Sequence, residues 1–120
     1  MLYNAAMDKF YALAEPTRRK ILELLASQGQ LTATEIYANF AVSPPAISQH
    51  LKVLREANLV RMQKHAQQHI YQINPEAMLE VGDWARQLAQ LWNKRFDALD
   101  ELVQVEKKKN EKNITNREEK

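Results

Sequence analysis

Cysteine is absent from the 120-residue chain, and glycine and proline occur only twice and four times. The first absence excludes disulfides and thiolate metal sites. The scarcity of turn formers favours long helices over many short strands. No apolar run approaches the roughly 20 residues that a membrane span needs. The start, MLYNAAMDKF, lacks a basic segment followed by an apolar one. No secretion signal is therefore expected, and the expected location is the cytoplasm. With 45% hydrophobic residues the chain is still apolar enough to fold around one modest core.

A net charge of +2 conceals an uneven distribution. Between Val42 and Asn74, Lys52, Arg55, Arg61 and Lys64 stand against Glu56 alone. Between Pro75 and Val105 the acidic residues outnumber the basic ones. A basic middle segment in a neutral body fits a surface that meets phosphate, although so few charges also split this way by chance.

Apolar spacing predicts a first helix over 4–14, through Tyr3, Ala6, Met7, Phe10 and Leu13. Glu15-Pro16 opens a second helix, with Ile21, Leu22, Leu24 and Leu25 on its apolar side and Gly29 as its stop. Leu31-Thr32-Ala33 can add an edge strand. Thr32 or Thr34 caps a third helix, with Ile36, Tyr37 and Phe40 facing inward. Ser43 before Pro44-Pro45 opens a fourth, which ends near Asn58. From Leu59 to Ile73, Val60, Met62, Ile70, Tyr71 and Ile73 flank a polar tip over 63–69, the pattern of a hairpin. A last helix runs from about Glu76 to about Val105. Residues 1–105 thus read as one domain. The segment 106–120 carries ten charges in fifteen residues, too few apolar groups to offset ordering, and reads as frayed helix or disordered tail. The expected class is mainly α with a small β wing, in the order α1-α2-(β)-α3-α4-β-β-α5.

Within that order 34–40, the turn 41–43 and helix 44–57 form a helix-turn-helix, whose second helix suits the major groove. Ile47, Leu51 and Leu54 point inward. Pro45, Ala46, Ser48, Gln49 and Lys52 point away, with Ser43 at the helix start. Gln49 can pair with adenine, Ser48 with several bases, and Ala46 can touch a thymine methyl. Lys52 and Arg55 suit phosphate. His50 either joins these contacts or packs and orients the helix. At the wing, Lys64, His65, Gln67, Gln68 and His69 cluster without an acid, a tip that can follow the DNA backbone or simply face water.

The stretch LAEPTRRKILELL, 13–25, resembles the second helix of ArsR-type winged-helix repressors. The stretch VSPPAISQHLKVLREANLV, 42–60, resembles their recognition helix running into the wing. The resemblance extends over 6–105. It implies a homodimer joined through the first and last helices that represses its own or a neighbouring operon by occluding the promoter. Four departures stand out. Thr34-Glu35-Ile36-Tyr37 occupies the place of the metal-sensing cysteines. The last helix has no histidine. Asn58 replaces a usual glycine, and the wing tip lacks the usual Gly-Arg.

The first two argue against metal sensing at the family's known sites; the last two leave the fold intact and bear on the wing contacts. His65 and His69 lie on a hairpin with no carboxylate between Ala57 and Asn74, so no metal site is expected there. Trp84 and Trp92 could line a ligand pocket, but dimer core is the plainer role. The expected dimer surface is Tyr3, Met7, Phe10, Trp84, Leu88, Leu91, Trp92, Leu99 and Leu102. No catalytic pairing or phosphate loop is recognisable, so the chain is not expected to be an enzyme or to need a cofactor. The expected partners are double-stranded DNA, a second copy of the chain, and an unidentified small-molecule or protein effector. The alternative is a winged helix that docks protein instead of DNA.

Overall fold

The computed structural model describes residues 8–118. Asp8 is extended, and its carboxylate accepts from the N–H of Phe10 at 3.0 Å, opening α1, Lys9–Leu13. The part of the expected helix over 4–7 lies outside the described residues; within them Asp8 leaves helical geometry to cap α1. Glu15 repeats the device. It accepts from the N–H of Arg18 at 3.0 Å, and Pro16 sits in the first turn of α2, Pro16–Gln28. Gly29, at φ 88°, closes α2 by donating to the carbonyl of Leu25.

After β1, Gln30–Thr32, a reciprocal pair of bonds opens α3, Ala33–Tyr37. The Thr32 hydroxyl accepts from the Glu35 N–H and the Glu35 carboxylate accepts from the Thr32 N–H. A turn leads to Ser43, whose hydroxyl accepts from Ala46 at the start of α4, Pro44–Glu56. The far end of α4 is closed through Asn58 at φ 65°. Asn58 donates to the Arg55 carbonyl and Leu59 to the Leu54 carbonyl, both at 3.0 Å. This is the closure usually built on glycine, and asparagine adopts the left-handed conformation at low cost.

β2, Val60–His65, and β3, Gln68–Ile73, form the wing, and β1 pairs with the other side of β3, all antiparallel. The polar tip expected over 63–69 shrinks to Ala66-Gln67, because backbone bonds carry the ladder regardless of side-chain polarity. Ala66 takes φ 57° there.

Ile21, Leu25, Ile36, Ile47, Leu51, Leu54, Leu59 and Val60 are the largest fully buried side chains. They come from both sides of the helix-turn-helix and from the root of the wing, so the core holds α4 against α2, α3 and the sheet. Asn74 Nδ2 donates to the Asn58 carbonyl and its N–H to Leu59, locking the strand exit to the end of α4.

α5, Pro75–Glu118, follows. It continues past Val105, where apolar periodicity ends, since helical hydrogen bonding needs no apolar face and the Glu and Lys of this stretch are good helix formers. The chain divides into a compact unit of residues 1–81 and a second unit of residues 82–120. The described part of the second unit is helix alone, with Trp84, Leu88, Leu91, Trp92, Phe96, Leu99, Leu102 and Val103 exposed.

Candidate nucleic-acid interface

α4 separates two kinds of side chain. Ile47, Leu51 and Leu54 are buried; Ser43, Pro45, Ser48, Gln49, Lys52 and Arg55 are exposed; Ala46 is half-buried. Helical spacing puts Ser48, Gln49, Lys52 and Arg55 along one outward strip. That strip is not isolated. Ser48, Gln49, Lys52 and Arg55 line a cleft of about 220 Å³ whose opposite wall is His69 and Tyr71 of β3. Tyr71 was read from sequence only as an apolar flank of the wing. Its alternation with His69 on one face of β3 was the signal that could have placed it here.

Lys64, His65, Gln67, Gln68 and His69 are all exposed on the wing. Lys64 pairs directly across the ladder with His69, and His65 with Gln68. A cation opposite His69 makes the wing more attractive to phosphate than to a metal. Among the described residues no three His, Asp or Glu side chains come together as a metal site. Arg61 belongs to the basic segment but lies 3.7 Å from Glu76, so its charge is partly countered.

His50 is turned away from the outward strip. Its Nδ1 accepts from Arg18 Nη1 at 3.4 Å and lies 3.9 Å from a Glu15 oxygen. Arg18 is buried, and it also donates to the carbonyls of Ala12 at 2.7 Å and Tyr11 at 3.1 Å, with its guanidinium 5.2 Å from the Tyr11 ring centre. α1, α2 and α4 thus converge on one cation. Burial acts to raise the Glu15 carboxyl. The Arg18 N–H, His50, the Thr17 N–H and the Arg18 charge outweigh it and hold the group below its ordinary value. Of the two roles open to His50 in the sequence, orientation of the helix is the one this geometry serves.

Of the surface expected to join two copies, Tyr3 and Met7 lie outside the described residues. Phe10 is half-exposed on α1. In the second unit Leu91 and Trp92 are 64% and 66% exposed, and with Leu88 and Arg95 they line a shallow apolar hollow.

Residues 15–62 match the model of a family described as bacterial regulatory protein, arsR family. The transcriptional repressor SdpR of Bacillus subtilis is 37% identical over 75 residues, which is 62% of this chain and 82% of that protein. The HTH-type transcriptional regulator Rv2034 of Mycobacterium tuberculosis is 34% identical over 104 residues, 87% of this chain and 94% of its own. A crystal structure of an ArsR family transcriptional regulator, RHA00566, superposes with a TM-score of 0.63 at 31% identity, covering 70% of this chain and 86% of that one.

Proposed function

The chain belongs to the ArsR family of bacterial transcriptional regulators, and on that premise we propose that it is a repressor that binds an inverted-repeat operator as a homodimer. The observation that carries this reading is the continuous polar and basic surface formed by the outward strip of α4 and the facing side of β3. α4 enters the major groove, where Ser48 and Gln49 meet base edges and Ala46 allows close approach. Lys52, Arg55 and Lys64 meet the flanking phosphates, together with His65, Gln67 and Gln68 at the wing.

A single recognition helix reads too few base pairs to select one site in a genome, so the function calls for two. The exposed apolar arc of the second unit supports pairing, because a face of that size is larger than a soluble monomer ordinarily leaves in water. A two-fold pair would set two recognition helices about one DNA turn, roughly 34 Å, apart. Promoter occlusion in the cytoplasm is the mode of repression that fits. Release then belongs to an effector, small molecule or protein, other than a thiolate-bound metal, since the chain has no cysteine.

Binding to a random-sequence duplex, followed across salt concentrations, tests the reading. A linear fall of log affinity with log salt is the expected result, because neutralised phosphates release counterions. No binding at low salt would instead favour a winged helix that docks protein.

A further inference from the structure

We propose that Tyr71 is a DNA contact: its hydroxyl donates to a backbone phosphate seated in the cleft between α4 and β3, beside Lys52 and Arg55. The proposal rests on the DNA-binding reading above and extends it to a residue of the sheet that carries no charge.

Tyr71 is only 7% exposed. A tyrosine that deeply placed ordinarily finds a partner for its hydroxyl. Here the hydroxyl has no hydrogen-bond partner among the described residues. The one buried side-chain polar atom left unpaired among them is Asn74 Oδ1. The unpaired Tyr71 oxygen is therefore not sealed in the core; it belongs to the small part of the side chain that reaches the cleft wall. Opposite it stand Lys52 and Arg55, with Ser48 and Gln49 alongside. A donor in a hollow of about 220 Å³ that two cations also line is matched by an anion with several acceptor oxygens. A phosphodiester is that anion, and a water takes about 30 Å³, so the cleft has room for the group and some of its hydration. Burial raises the Tyr71 pKa, while the Arg55 charge lowers it and Tyr37 raises it further, so the hydroxyl keeps its proton and acts as a donor.

The choice of DNA over a free anion follows from continuity. Gln49 and Ser48 belong both to the cleft and to the strip that faces the groove, so a phosphate held here lies next to the bases being read.

Tyr71→Phe keeps the ring in the core and removes only the donor. Binding of a random duplex should weaken about tenfold, the scale of one hydrogen bond to a charged group. The slope of log affinity against log salt should stay as in the wild type, because a neutral donor releases no counterion. The melting temperature should hold or rise, since the lost hydroxyl has no partner in the protein. Lys52→Ala should lower the slope. In the double variant the two losses should fall short of additivity, as expected when both groups hold one phosphate. A Tyr71→Phe protein that binds within twofold of the wild type, while Lys52→Ala still lowers the slope, overturns the cleft assignment and leaves the DNA reading standing. A wild type that binds no duplex overturns both. If inorganic phosphate at millimolar concentration raises the melting temperature of the wild type but not of Tyr71→Phe, the site serves a free anion and the DNA assignment is wrong.

Discussion

Arg18 and His50 face each other at 3.4 Å, Nη1 to Nδ1, across 32 positions of sequence. Arg18 also holds the carbonyls of Tyr11 and Ala12 in α1, so one buried guanidinium joins the first helix to α4. Arg18→Ala should cost about 2–4 kcal/mol, because it strands buried acceptors as well as removing charge-assisted bonds. The urea midpoint should drop with an unchanged m-value. A loss under about 1 kcal/mol would show that the junction is not structural.

The same cluster makes a prediction about acid. The Glu15 carboxyl is held below its ordinary value of 4.5 in the folded chain. Such a group contributes stability above its unfolded pKa and loses that contribution as pH falls through the lower folded value. Stability should therefore decline below about pH 4.5, and Glu15→Gln should make that decline shallower. Identical acid-unfolding curves for the two proteins would remove Glu15 from the account.

Gln49 and Lys52 should separate sequence reading from charge. Gln49→Ala is expected to cost roughly 1–3 kcal/mol at the cognate site with random-duplex binding nearly constant. Lys52→Ala should weaken both and lower the salt slope by about one. Competition titrations against random DNA measure the difference, and equal losses on both DNAs for Gln49→Ala would show that it reads no base.

Among the described residues two that are not glycine occupy left-handed backbone, Asn58 at φ 65° and Ala66 at φ 57°. Alanine is the less suited of the two. Ala66→Gly should stabilise the chain by about 0.5 kcal/mol, and Asn58→Ala should destabilise it by about 1 kcal/mol. Thermal melts decide, and opposite signs would contradict the turn and cap assignments.

The apolar arc of the last helix carries the dimer proposal. Leu88→Asp or Leu91→Asp should give monomers with greatly reduced operator binding, as measured by sedimentation and titration together. A wild type that sediments as one chain at micromolar concentration and still binds its operator would defeat the dimer.

The elements and the inward face of α4 were legible because their signals are local. Pro16, Gly29, Thr32, Ser43 and Asn58 each act on backbone groups within a few residues, so their order along the chain already places the caps. Ile47, Leu51 and Leu54 repeat at the helical period, so the buried side of α4 follows from spacing. The family was legible for the same reason, since its two stretches lie on these elements.

What spacing could not supply was pairing across distance. His50 sits among polar residues, and only the packing of α2 against α4 turns it toward Arg18 and Glu15. Arg61 counts as basic in any tally, yet the fold brings Glu76 to 3.7 Å of it. The wing's length depends on backbone bonds between β2 and β3, to which the polar residues at 63–69 gave no clue. Tyr71 is the fullest case. Its sequence determined only that an amphipathic ring stands in a strand; that it shares a cleft with Lys52 and Arg55 was decided by the sheet docking against α4. Hydrogen-bonded caps and periodic faces are short-range and survive in one dimension, whereas a cleft exists only once two elements from different parts of the chain have been pressed together by a shared core.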